Sequence, residues 1–264
     1  MNKRIMGLGA LAITAVMLAG CGTSATKTAS EPQKTTLTMG TNAQFQPFEF
    51  VTKKNPLIEE YDGIDVAIAM EIAKDAGMNL HIEDQEFDGL IAAVSTDKID
   101  MAVAGMTVTE ERKQSVDFSD PYYTATQVMV VSPDNTSIKK AADLKDKKVG
   151  VVLGYTGDNI VTKDIGVPES NIQRANRGLD IIQDVKNGKL DAVVIDSYTG
   201  KALAEKNGLV AIEDPDVFES EEYAIAVKKG NKELLDKINK TLKRMKDSGE
   251  IEKLAEKYNT MASE

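Results

Sequence analysis

The feature that most limits the fold is an alternation. From Thr36 onward, short β-type runs and helical patterns follow one another to the end of the chain. The runs are "TLTMGTN" (36–42), "NLHIED" (79–84), "MAVAG" (101–105), "VMVVS" (128–132), "KVGVVLG" (148–154), "LDAVVID" (190–196) and "YAIAVKK" (223–229). Between them lie helical patterns at 63–77, 88–98, 157–165, 178–188 and 197–208. A strand–helix–strand succession implies parallel sheets covered by helices, because each crossover helix packs its apolar stripe onto the sheet. The expected fold class is α/β. Residues 231–264 read as one long charged helical stretch, with apolar positions such as Leu234, Ile238, Leu242 and Ile251.

Several strands run directly into Gly, Thr or Asn: "GTNAQF", "AGMT", "LGYTG" and "IDSYTG". In open α/β sheets, ligands bind beyond the carboxyl ends of strands. Two sets of such loops, one from each half, suggest two lobes facing each other. No internal repeat and no long Pro/Gly linker separates the halves. A lobe boundary must therefore be a crossing of strands.

The start of the chain addresses location. Lys3 and Arg4 precede "IMGLGALAITAVMLAG" (5–20), an apolar run too short to span a bilayer comfortably and laid out like a secretory signal. "LAGC", Leu18 to Cys21, resembles the lipobox of bacterial lipoproteins, which implies cleavage before Cys21 and lipid attachment to it. Cys21 is the one cysteine of the chain, so no disulfide framework is possible. The expected organisation is a signal peptide over 1–20 and a lipidated flexible tether over 21–35, small and polar in composition. The expected location is the outer face of the cell membrane. A formal charge of −10 leaves no electrostatic footprint for nucleic acid.

Most chemistries lack their parts. A single histidine, His81, and a lipidated cysteine cannot build a zinc or copper site, and no Asp-rich calcium loop occurs. His81 alternates with Leu80 and Ile82 as an ordinary strand residue. There is no G-x-S-x-G, GxGxxG or Walker loop. No cofactor and no metal are expected.

What remains suits a zwitterion. A carboxylate calls for a guanidinium and backbone N–H donors. Arg112 can supply the first; Gly105 and Thr107, at a strand end, can supply the second. Thr109 reads as the cap that fixes the turn carrying Arg112. Thr156 and Gly157 fall where a strand passes into a helix, whose N-terminus adds donors and dipole. Asp196 ends a strand and can accept from an ammonium. Phe45 and Phe87 can sandwich a ligand side chain. Each has a plainer reading. Arg112 alone is a solvated charge, Thr156 and Gly157 a helix start, Asp196 an N-cap, and the two rings core residues. Phe48 and Phe50 are assigned to packing.

These motifs together resemble the extracellular substrate-binding proteins of bacterial ABC importers for polar amino acids. The resemblance rests on "TNAQFQPFEF" with "GIDVAIAMEIAK", on "FDGLIAAVSTDKIDMAVAGMTVTEERKQSVDFSDPYY", and on "VGVVLGYTG" and "KLDAVVID". It implies a two-lobed periplasmic-binding-protein-like fold of type II, joined by two crossing hinge strands. Lobe 1 would comprise 36–124 and 224–264, and lobe 2 would comprise 125–223.

The resemblance also implies roles. Arg112 would hold the ligand α-carboxylate, beside Ala104, Gly105, Met106 and Thr107. Thr156 and Gly157 would contact the same carboxylate from lobe 2. Asp196 would receive the α-ammonium, and Phe45 and Phe87 would flank the side chain. Asn42 stands where many members with basic ligands have an aspartate. Leu153 stands where glutamine-type members offer polar groups. Gln44, Glu86 and Asp158 can restore polarity, so basic and neutral polar ligands both stay open. The implied partners are a free amino acid, ABC permease subunits and the membrane through lipid, for a monomeric, non-enzymatic receptor. Two other classes share the pattern: a cleft enzyme like cyclohexadienyl dehydratase, with Glu86 or Asp158 as its acid, and an amino acid sensing domain.

Overall fold

The computed structural model describes residues 35–52 and 60–263. The expected signal peptide, Cys21 and nearly all of the tether lie outside the described residues. In chain order the elements are β1 (Thr36–Thr41), β2 (Gln44–Phe45), β3 (Glu49–Thr52), β4 (Glu60–Asp62), α1 (Ile64–Ala76), β5 (Asn79–Asp84), α2 (Leu90–Ser95), β6 (Met101–Ala102), β7 (Val116–Phe118), β8 (Tyr123–Ala125) and β9 (Gln127–Val131). There follow β10 (Val149–Val152), α3 (Thr156–Asn159), β11 (Ile172–Ala175), α4 (Gly178–Lys186), β12 (Ala192–Asp196), α5 (Ser197–Asn207), β13 (Val210–Ile212), β14 (Glu221–Tyr223), β15 (Ala226–Lys228), α6 (Lys232–Asp247) and α7 (Glu250–Ser263).

Two five-stranded sheets carry the lobes, ordered β5-β1-β6-β15-β7 and β11-β10-β12-β9-β13. The plan is the same in both. In each, the first two neighbouring pairs are parallel and the last two antiparallel. The antiparallel pairs have one origin. β9 and β15 are the first strands laid down after the chain crosses between sheets, and each enters its new sheet against the local direction. The crossings themselves, β8 and β14, pair antiparallel, with Glu221 opposite Ala125 and Tyr223 opposite Tyr123. The expected α/β class with two lobes therefore stands, as a mixed sheet in each lobe.

The central strands of the second sheet are dense in small β-branched residues that are wholly buried, such as Val128, Val130, Val149, Val151 and Val193. Such runs, apolar on both faces, fit strands covered by helices on each side. In α1 the buried positions Ile64, Ile68, Ala69, Ile72 and Ala73 form one stripe, which packs against α6 and α7. The C-terminal stretch differs from the single helix expected. Gly249, at φ +70°, turns the chain between α6 and α7. Arg244 then ties the join, with its guanidinium on Glu71 (2.7 Å), Asp75 (3.1 Å) and Glu250 (2.9 Å).

One buried polar group stands out. Asp65, in the first turn of α1, is fully buried. Its Oδ2 accepts from the Gly105 N–H (2.7 Å) and the Tyr122 hydroxyl (2.8 Å). Glu49 on β3, equally buried, lies beside it, and among the described residues neither Glu49 oxygen nor Asp65 Oδ1 has another hydrogen-bond partner. Two carboxyls in contact inside a protein must share a proton. Burial and then the Asp65 charge hold the Glu49 carboxyl well above its usual range. Burial pushes Asp65 up to about 6, against the pull of its donors. Asp65 thus carries the charge at neutral pH and Glu49 the proton.

Raised folded-state values make the folded chain keep protons that the unfolded chain has released, so stability falls as pH rises. We expect wild type to lose stability relative to Glu49→Gln from pH 5 to pH 8, at up to about 1.4 kcal/mol per pH unit. Melting curves across that range check this; a difference independent of pH would refute the shared proton.

Candidate functional site

The two central parallel pairs, β1 with β6 and β10 with β12, mark the point in each sheet where strand order reverses. Crevices form there because the connections leave in opposite directions. Loops from these four strands carry most of the sequence-derived candidates. Asn42 and Phe45 follow β1, and Ala104 to Thr107 follow β6. Leu153 to Gly157 follow β10, and Asp196 ends β12.

Arg112 is held on both sides of the cleft. Its Nη1 donates to the Thr107 carbonyl (2.6 Å) and its Nη2 to the Gly154 carbonyl of the other lobe (2.9 Å). The guanidinium lies 5.2 Å from the Phe87 ring centroid. The Thr109 hydroxyl accepts the Arg112 N–H (3.1 Å), which fixes the turn as its sequence suggested. Burial pulls the guanidinium below its usual range, opposed first by the charge of Asp196 and then by that of Glu221. Arg112 is therefore no solvated surface charge.

Asp196 occupies the N-cap position of α5, yet its side chain caps nothing. Instead Oδ1 accepts from the Tyr223 hydroxyl at 2.5 Å. Burial, then the charge of Glu221, push its carboxyl up to about 7.

Glu221 was not among the residues read from the sequence. It lies on β14, one of the two crossing strands. Its Oε2 accepts from the hydroxyls of Thr107 (2.7 Å) and Thr156 (2.8 Å), one from each lobe. Gln127 Nε2 donates to it at 3.4 Å. A hydroxyl has one proton to give. With those protons on Glu221, the two hydroxyls can only accept further bonds, and Thr156 Oγ1 already accepts from Gln127 Nε2 (3.2 Å). "SEEYAIAV" reads as a plain strand, so no local pattern marks Glu221. Tyr155, the N-cap of α3, was also missed: its ring meets both Phe45 and Phe87.

Several expectations need correction. The Gly105 N–H is not an open donor, because it is given to Asp65. Gly105 instead permits closeness: it sits at φ +51°, and a Cβ there would fall 2.5 Å from the Phe45 ring. Met106 does not reach the cleft; its side chain is fully buried in the core and its carbonyl accepts the Ala224 N–H. Ala104 is likewise a core residue. Leu153 is exposed, on the rim of a cavity of about 380 Å³ that Arg112, Tyr155 and Thr156 also line. Asp158 is paired with Arg174 (2.7 Å), so it does not restore polarity to the cleft. Asn42 is buried, its Nδ2 on the Gln85 carbonyl at 2.9 Å. A Cβ at Gly157 would come 3.1 Å from Gln127 Oε1, so that backbone is packed tightly. His81 is an exposed strand residue, as read.

Residues 37–261 match the model of the bacterial extracellular solute-binding proteins, family 3. The chain is 37% identical over 263 residues to the arginine-binding extracellular protein ArtP of Bacillus subtilis (strain 168), covering 98% of this chain and 99% of that one. It is similar to the structure of an ancestral arginine-binding protein bound to glutamine, with TM-score 0.78 and 42% identity over 86% of this chain and 99% of that one. It is also similar to the ancestral amino acid-binding protein AncCDT-1, a precursor of cyclohexadienyl dehydratase. There the TM-score is 0.77 and the identity 37%, over 85% of this chain and 95% of that one.

Replacing Glu221 by Gln removes the neighbouring charge that, after burial, raises the Asp196 carboxyl. We expect Glu221→Gln to lower the Asp196 midpoint below its wild-type value of about 7. Carboxyl ¹³C NMR titration reads it directly, and an unmoved midpoint would show that burial acts alone.

Proposed function

The chain belongs to the bacterial extracellular solute-binding proteins of family 3, and on that premise we propose that it captures a free cationic amino acid, arginine foremost, for an ABC importer. The observation that carries this reading is the charge pattern of the cleft. Arg112 from one lobe faces Asp196 from the other, and its charge is also felt by Glu221 of the hinge. A zwitterion spanning the cleft satisfies both walls: its carboxylate on Arg112, its ammonium on Asp196. With the ligand ammonium holding Asp196 ionised, two carboxylates stand against one guanidinium, a negative surplus that a side-chain cation neutralises. Phe45 and Phe87 supply ring faces for that cation. The arginine-binding names of the relatives agree with this choice.

Capture requires no bond chemistry in this reading. The relatives named above are binding proteins, and of the two candidate acids Asp158 is ion-paired and Glu86 exposed. We further propose that the paired crossings β8 and β14 are the hinge, with boundaries at 124/125 and 223/224. Closure then follows because one ligand satisfies groups on both lobes only in the closed state. The receptor would work as a monomer tethered by lipid on Cys21; among the described residues no helix is long and apolar enough to cross a membrane.

Arg112→Ala should weaken L-arginine binding by about 3 kcal/mol, since a carboxylate loses its charged partner. Unchanged calorimetric affinity would remove Arg112 from the site. Cys21→Ser should move the protein from the membrane fraction to the medium or periplasm; continued membrane retention would rule out the anchor.

A further inference from the structure

Phe45 and Phe87 are 3% and 7% exposed. Rings so covered leave no free face for a ligand, and the cover is the protein itself. Phe48 stacks on Phe45 at 5.4 Å and 22°. The Arg112 guanidinium lies over the Phe87 ring. Phe45 also meets Tyr223 at 6.5 Å and 56°, and Tyr155, from the opposite lobe, meets both rings. Its ring stands edge-on to Phe45 at 5.5 Å and 87°, and tilted on Phe87 at 4.6 Å and 61°. These are contact separations for packed rings. No planar group fits between Tyr155 and either partner.

The backbone beside Tyr155 is fastened to the same wall. Gly154, one residue before it, accepts Arg112 Nη2 through its carbonyl. Thr156, one residue after it, donates its hydroxyl to Glu221. Three consecutive residues of lobe 2 are thus seated on lobe 1 and the hinge, with the ring of the middle one inserted among the aromatics.

We infer that Tyr155 is a built-in competitor for the ligand side chain, which must displace its ring from Phe45 and Phe87 to bind. This inference rests on the reading above that those two rings flank the ligand side chain. Its consequence is selectivity by reach. A short side chain that leaves the Tyr155 ring in place gains nothing from the aromatics. A long cationic one exchanges ring–ring contacts for cation–ring contacts and gains the difference.

The chain contains no tryptophan, so Tyr155→Trp introduces a sole indole at this spot. We expect L-arginine to red-shift its emission as the ring leaves the apolar slot for solvent. We expect Tyr155→Ala to tighten L-arginine binding roughly fivefold to a hundredfold, the worth of two lost aromatic pairs, read by calorimetry. Phe87→Ala, in parallel, should weaken binding. If Phe87→Ala weakens binding and Tyr155→Ala weakens it too, the site stands and Tyr155 is a wall, which overturns the inference alone. If arginine binds the Tyr155→Trp variant without an emission shift, the inference is likewise overturned. If Phe87→Ala leaves affinity unchanged, or neither L-arginine nor L-glutamine binds wild type and Tyr155→Ala, the underlying site reading falls and the inference with it.

Discussion

The bond from the Gly105 N–H to the buried Asp65 carboxylate is the contact on which the cleft depends. Gly105 holds a left-handed conformation in the loop that follows β6, and Asp65 pins it there at 2.7 Å. That turn sets the path of residues 106–112, and so the position of the Thr107 carbonyl on which Arg112 rests. The same Asp65 oxygen holds the Tyr122 hydroxyl, one residue ahead of the first crossing strand. One buried charge therefore fixes both the binding turn and the approach to the hinge. Burying it is costly unless it is fully hydrogen-bonded, and the Glu49 proton completes the set. The packing of β3 across the start of α1 brings Glu49 to that place.

How much of this the sequence showed depends on the range of each interaction. The alternation of periods identified the α/β class, because helix and strand leave different local repeats. Asp196, Thr156 and Phe45 were legible as residues at or soon after strand ends, a rule that needs only local structure, and Arg112 as a guanidinium in the turn that Thr109 caps. Glu221 and Tyr155 were not. Glu221 acts on Thr107, 114 positions away, and its own strand has an ordinary pattern. Tyr155 hides inside "LGYTG", where the glycines and threonine explain the turn without it. Gly105 shows the subtler failure. It was recognised as special, but its donor was assigned to a ligand, since nothing local reveals a carboxylate arriving from 40 positions upstream. The mixed sheets follow the same logic: strand direction is set by the crossings, which are non-local.

The protein's own groups supply many of the contacts between the lobes. Arg112 reaches Gly154, Glu221 takes a hydroxyl from each side, and Thr199 donates its hydroxyl to the Gln46 carbonyl at 3.0 Å. Tyr223, on the hinge strand, donates to Asp196. A ligand shifts a conformational equilibrium only by its differential affinity for the two states. Contacts that the protein makes with itself on closing lower the share that the ligand must supply. They also compete for the same atoms, because Arg112 cannot give one N–H to both Gly154 and a carboxylate.

Competition and closure are therefore one balance. A self-contact at the cleft that is too strong would close the lobes against the ligand; one too weak would leave closure wholly to the ligand. The aromatic contacts of Tyr155 fall between these limits, since each ring pair is worth about 0.5–1.5 kcal/mol beyond its burial. A cation placed over a desolvated ring can gain about 2 kcal/mol. Tyr155 makes two such pairs, about 1–3 kcal/mol together, so the proposed exchange is near balance for a cationic side chain and unfavourable for an uncharged one. Selectivity then follows from what the ligand must displace as well as from what it touches. On the proposed reading, no acidic residue is needed at Asn42 for the cleft to prefer a positive charge.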